Sequence, residues 1–82
     1  MTKEEVLKKV VDILKKYSKS ELAPEQITME TTILDDLKVN SARLVDIVLD
    51  FEDAFDIQVD DADADKVRTV GDGVELILSK VG

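Results

Sequence analysis

Apolar residues recur at helical spacing in three stretches of the chain. In the first, Val6, Leu7, Val10, Val11, Leu14 and Tyr17 form one face with Ile13 alongside, while Lys8, Lys9, Lys15, Lys16 and Lys19 fill the other. Thr2 and Glu5 have the Thr-x-x-Glu spacing of a capping box, so this helix is predicted to begin there and to fade near Ser18 to Ser20. In the second stretch, Leu44, Ile47, Val48, Phe51 and Phe55 make a core stripe. Asn40 and Ser41, both good N-cap types, precede it, and the helix is predicted to run to about Asp56. In the third, Val70, Val74, Ile77, Leu78 and Val81 follow a Thr69–Asp72 cap, and the helix is predicted to end before Gly82.

The segments between these helices differ in kind. Residues 21–40 read as a long connection, because Pro24 blocks a continuous helix and biases Ala23 towards extended backbone. Thr28, Thr31 and Thr32 favour turns and caps, whereas Ile27, Met29, Ile33, Leu34 and Leu37 are predicted to pack down on the core. A connection of this length is often functional. Asp60 to Asp65, after Ile57-Gln58-Val59, has room for one short helix. No strand alternation, internal repeat or low-complexity segment is visible. The expected fold is therefore all-α: a single domain over 1–82, a small four-helix bundle of three main helices and one short one, with the long loop between the first two.

Composition narrows the function. The chain has 82 residues and a formal charge of −8, with no cysteine and no histidine. Absence of cysteine removes disulfides and thiolate metal sites. Absence of histidine removes the commonest general base and the Ser-His and Cys-His catalytic pairs. No apolar run approaches the ~20 residues of a membrane span, and no signal-peptide pattern opens the chain. The negative charge disfavours nucleic acid and anionic membranes and favours basic protein partners. These features point away from a self-contained enzyme and towards a small, acidic, cytoplasmic binding or carrier module, expected to be a monomer with no resident metal.

The charge is also unevenly placed. Residues 1–20 carry six bases and three acids, whereas residues 35–65 carry eleven acids and two bases. Within that acidic region, Ala42, Val45 and Leu49 recur at i, i+3, i+7, off the core stripe and flanked by Asp46, Asp50, Glu52 and Asp53. An apolar strip rimmed by acids suits docking to a basic partner; the alternative is that it simply widens the core face. Ser41 reads either as an N-cap or as a modification site, since a helix N-terminus suits a phosphate ester. Asp61, Asp63, Asp65 and Asp72 fall at positions 1, 3, 5 and 12 of a calcium-loop pattern. Against a calcium site, Lys66 occupies the position that requires Gly, Asp72 replaces the usual bidentate Glu, and Arg68 lies inside the loop.

Leu34-Asp35-Asp36-Leu37, Asn40-Ser41-Ala42, Asp46-Ile47-Val48, the run Phe51 to Ile57 (Phe-Glu-x-x-Phe-x-Ile) and Val67 to Asp72 together resemble the acyl carrier protein family across nearly the whole chain. The resemblance implies a four-helix bundle of acyl-carrier type. It also implies a serine at the start of the second helix, matched by Ser41, that carries 4′-phosphopantetheine through a phosphodiester. The terminal thiol of that group would hold acyl chains as thioesters, so the carrier would be non-catalytic. A phosphopantetheinyl transferase and acyl-transferring or condensing enzymes of fatty-acid, lipid or polyketide-type synthesis are the implied partners. Their basic patches would meet the second helix at Asp46, Glu52 and Asp53, with Asn40, Ala42, Arg43, Val45 and Leu49 completing the contact. The family also shelters acyl chains between helices, near Val48 and Phe51 here.

The sequence departs from the family where the usual pattern is Gly-x-Asp-Ser-Leu. It reads Lys38-Val39-Asn40-Ser41-Ala42, followed by Arg43 where acid is common. Lys38 replaces a conformationally free glycine, so the loop is expected to run differently there. These changes point to a specialised carrier with dedicated partners. A peptidyl or aminoacyl carrier, an unmodified adaptor and a calcium binder are the alternatives.

Overall fold

The computed structural model describes residues 2–81. Helix α1 spans Lys3–Tyr17. Its capping box forms as the sequence predicts: the Glu5 N–H donates to Thr2 Oγ1 at 3.2 Å while the Glu5 carboxylate reaches back to the Thr2 N–H. The helix stops at Ser18, whose backbone turns extended. Its buried side, Val6, Val10, Val11, Ile13 and Leu14, is the predicted stripe; Leu7 and Tyr17 are only partly buried against it.

The long connection is ordered by its own apolar residues. Ala23 is extended, as the following proline requires, and Pro24–Gln26 forms one 3₁₀ turn. Ile27, Ile33, Leu37 and Val39 are buried, and Met29 packs against the same cluster. The backbone groups that travel with them find partners at both ends of the molecule. The Lys19 N–H and the Ser18 hydroxyl donate to the Leu37 carbonyl at 3.1 and 2.8 Å. The Val70 and Gly71 N–H groups donate to the Thr31 and Met29 carbonyls at 2.9 and 2.8 Å, and Ile33 N–H to the Arg68 carbonyl at 3.0 Å. These bonds include a single antiparallel bridge, Thr32 to Thr69; among the described residues no strand extends beyond it. Leu34, predicted to pack inward, is instead 41% exposed.

Helix α2 spans Leu44–Phe55 and continues from a 3₁₀ turn, Ser41–Arg43. It ends at Asp56, which takes the left-handed conformation, φ 53° and ψ 52°. The four-residue helix α3 spans Asp61–Ala64, inside the acidic stretch. Helix α4 spans Val70–Val81. Thr69 and Asp72 cap it reciprocally: the Asp72 N–H donates to Thr69 Oγ1 and the Thr69 N–H to Asp72 Oδ2, both at 3.1 Å. The predicted end before Gly82 borders a residue outside the described range.

Packing follows from these faces. Helix α1 lies mainly against α4 and also against α2, and one apolar cluster joins all three with the loop. Phe51, Leu14, Ile33, Leu37, Ile47 and Ile77 are the largest side chains fully removed from solvent. Each contributes about 1.5–3 kcal/mol by burial. Of two glycines in α4, only Gly71 is needed for close approach. A Cβ at Gly71 would lie 2.7 Å from the Met29 carbonyl oxygen, and one at Gly73 would sit 3.6 Å from the Phe51 ring.

The calcium-loop alternative fails on this geometry. Asp61 and Asp63 lie within α3, so the segment is helical where a cation loop must wrap. Asp72 Oδ2 accepts the backbone N–H groups of Arg68 and Thr69, and the Asp63 carboxylate pairs with Lys80 at 3.3 Å. Among the described residues no group of three or more potential ligands converges.

Candidate functional site

Ser41 is placed by the residues around it. Val39 is buried and anchors the end of the loop, and Leu44 is half-buried at the start of α2. The chain between them rises to the surface, leaving Asn40, Ser41, Ala42 and Arg43 exposed. Asn40 is extended, and its side-chain oxygen accepts the Ala42 N–H at 2.9 Å while its carbonyl accepts the Arg43 N–H at 2.8 Å. Asn40 is therefore the cap. The N-cap reading of Ser41 is corrected: Ser41 is the first residue of the turn, one place beyond the cap. Its hydroxyl is not needed to start the helix.

The loop does not escape the demand on residue 38. Lys38 takes φ 54°, the region glycine enters without cost, so the lysine bears that strain. An open groove lies beside Ser41, lined by Leu44, Val45, Ala64, Val67, Asp61 and Asp65. Leu44, Asp65 and Val67 also line a second hollow that runs on to Leu34 and Arg68. Val48 and Phe51, the side chains tied to acyl sheltering, are buried in the wall of α2.

The outer face of α2 does not widen the core. Val45 is 66% and Leu49 53% exposed, and Ala42 is exposed as well, so the strip is not part of the core. The acids around it are unequal. Asp46 accepts from the Arg43 guanidinium at 3.1 Å. Asp50 accepts the Tyr17 hydroxyl at 2.6 Å, and Glu52 accepts the Val59 N–H at 3.2 Å. Asp53 is exposed. The Tyr17–Asp50 bond escaped the sequence reading, because Tyr17 fits the apolar stripe of α1 by spacing. Only its hydroxyl, a polar tip on an apolar body, hints at a partner.

The family model for the phosphopantetheine attachment site matches residues 4–77. The acyl carrier protein of Thermotoga maritima is 43% identical over 81 residues, covering 99% of this chain and 98% of that protein. That of an Exiguobacterium strain is 38% identical, covering 99% of this chain and all of its own length. A solved structure of the acyl carrier protein from Enterococcus faecalis superposes with a TM-score of 0.80, at 39% identity over 96% of this chain and 98% of that one. The chain belongs to the acyl carrier protein family.

This carrier therefore takes 4′-phosphopantetheine as a covalent prosthetic group. The residues present fit that group: an exposed serine follows a completed cap and opens onto a groove lined by both apolar residues and the carboxylates Asp61 and Asp65. The thiol that ends the bound group supplies thioester chemistry, which a chain with no cysteine cannot supply itself. What the chain's own residues provide is presentation. Buried Val39 and the Asn40 cap hold the backbone of Ser41 in place, and the N-terminal end of the helix carries a partial positive charge that favours an anionic ester. No described helix is long and apolar enough to cross a membrane.

Proposed function

We propose that the whole chain acts as one cytoplasmic, monomeric carrier domain with 4′-phosphopantetheine attached at Ser41 Oγ, presenting acyl intermediates to enzymes of fatty-acid, lipid or polyketide-type synthesis. The observation that carries the assignment is the exposure of Ser41 at the first turn of α2, one residue after a cap that is already satisfied by Asn40. The partners are a phosphopantetheinyl transferase and acyl-transferring or condensing enzymes. They contact Asn40, Ala42, Arg43, Val45, Asp46, Leu49, Glu52 and Asp53. Exposed Val45 and Leu49 supply the apolar centre of that contact, and the acids set its rim.

The test is intact mass after incubation with a broad-specificity phosphopantetheinyl transferase and coenzyme A. A gain of one phosphopantetheinyl group is expected, and none in Ser41→Ala. Because Asn40 makes the cap, Ser41→Ala should shift stability by less than about 0.5 kcal/mol. A loaded Ser41→Ala variant would move the attachment elsewhere.

A further inference from the structure

The charges along α2 are ordered. Counting 100° per residue, Arg43, Asp46, Asp50 and Asp53 follow one another along a single edge of the Val45–Leu49 strip, with Glu52 on the opposite edge. Three of the four acids are already engaged: Asp46 by Arg43, Asp50 by Tyr17 and Glu52 by the Val59 backbone. The Arg43 and Asp46 side chains are 63% and 44% exposed, so their pairing occurs at the surface a partner would touch. From Ser41 outward the edge therefore presents a cation, the carboxylate paired with it, a hydrogen-bonded carboxylate and finally exposed Asp53, with Asp56 at the cap beyond it. Residues 43 and 53 are about 15 Å apart along the axis. That exceeds the ~8 Å Debye length at physiological salt, so a partner senses the two ends separately.

We infer that Arg43 is a specificity-determining residue: it masks Asp46 and rejects partners whose basic patch reaches the serine end of α2, while Asp53 at the far end remains the charge they engage. The inference rests on the docking role proposed for this face and adds a direction to it. An enzyme matched to this carrier places its basic group opposite Asp53, with a neutral or acidic group opposite Arg43. A mismatched enzyme with a continuous basic patch meets like charge beside the residue it must modify, which lowers its encounter rate and its affinity.

The probe is a broad-specificity phosphopantetheinyl transferase with a continuous basic docking patch, assayed by kcat/KM for loading at low ionic strength. Arg43→Gln should raise kcat/KM about fivefold, the scale of one rim charge, mainly through KM. Adding Asp46→Asn to Arg43→Gln should return the value to that of the parent, because the unmasked charge is gone. The gain should vanish at high salt. Far-UV circular dichroism and urea midpoints check that each variant is folded. An unchanged or lower kcat/KM for Arg43→Gln overturns the inference, as does a gain that survives Asp46→Asn. Two controls separate this failure from failure of the docking role. If Asp53→Asn and Leu49→Ser raise KM while Arg43→Gln has no effect, the face docks but Arg43 does not select. If neither control moves KM, the docking role falls and the inference falls with it.

Discussion

The two apolar faces of α2 are built from the same residue types, yet they meet opposite fates. Ile47, Val48, Phe51 and Phe55 are buried, whereas Val45 and Leu49, one or two positions away, stand more than half exposed. Rotation about the helix separates them: the inner residues face α1, α4 and the loop, and nothing in the fold covers the outer ones. The inner face contributes stability. The outer face contributes none, and it carries apolar surface at a cost in solubility that the surrounding acids offset. A helix of twelve residues thus holds the bundle together on one side and is available to a partner on the other.

Truncating one residue from each face gives the largest contrast. Phe51→Ala should cost about 3–5 kcal/mol, combining lost burial with a cavity. A chain of 82 residues has roughly 4–12 kcal/mol in total, so this variant should lose at least about a quarter of it. Leu49→Ala should shift the urea midpoint by less than about 0.5 kcal/mol equivalent. Comparable losses at the two sites would mean the outer strip is structural after all.

Much of this division was legible in the sequence. The core stripe of α2 is a periodicity of Leu44, Ile47, Val48, Phe51 and Phe55, and its off-register companions Ala42, Val45 and Leu49 can be counted in the same way. Both capping boxes depend only on residues three apart, Thr2 with Glu5 and Thr69 with Asp72. Contacts that depend on tertiary geometry were not legible. Whether Asn40 or Ser41 caps α2 turns on which residue leaves the loop in extended backbone, and buried Val39 decides that. The exposure of Leu34 depends on how the loop bonds to Arg68 and α4. Spacing placed Asp61, Asp63, Asp65 and Asp72 in a ligand pattern, but one short helix and one cap use the same residues differently.

A second contrast probes how tightly the inner face is held. Gly71 and Gly73 lie two apart in α4. A methyl at Gly71 meets a backbone oxygen of the loop at 2.7 Å, whereas one at Gly73 meets the edge of Phe51 at ordinary van der Waals distance. Gly71→Ala should therefore destabilise by about 1–2 kcal/mol, the clash outweighing the helix preference of alanine. Gly73→Ala should be neutral or stabilising by up to about 1 kcal/mol. Chemical denaturation of both variants checks the signs. A neutral Gly71→Ala would show that the loop leading to Ser41 can lift away from α4 without cost.

The turn before the serine predicts a smaller effect of opposite sign. Lys38 at φ 54° carries about 1–2 kcal/mol of left-handed strain, and glycine would remove it at the cost of greater freedom in the unfolded chain. Lys38→Gly should stabilise by roughly 0.5 kcal/mol. The outer face should be unaffected, so loading at Ser41 should keep its rate. A destabilised variant would mean that Lys38 makes contacts worth more than its strain.

The smallest effect lies where the two faces meet. Asp50 sits at the edge between them, and the Tyr17 hydroxyl ties it to the end of α1. The bond to Asp50 raises the Tyr17 pKa above the usual value near 10, with partial burial and the negative charge of Asp50 acting in the same direction. A group whose pKa is raised on folding favours the folded state below its unfolded pKa and loses that contribution as pH rises through the folded one. The stabilisation from Tyr17 is thus complete at neutral pH and disappears on the alkaline side of 10. Tyr17→Phe should lower the melting temperature modestly at pH 7, and the difference from the parent should shrink above pH 10. Taking the difference at each pH removes the lysine titrations common to both chains. A difference that stays constant across that range would mean the ring packing of Tyr17 matters and its bond to Asp50 does not. Asp50 would then be a third carboxylate open to a partner, and the charge order along the outer face would begin nearer to Ser41.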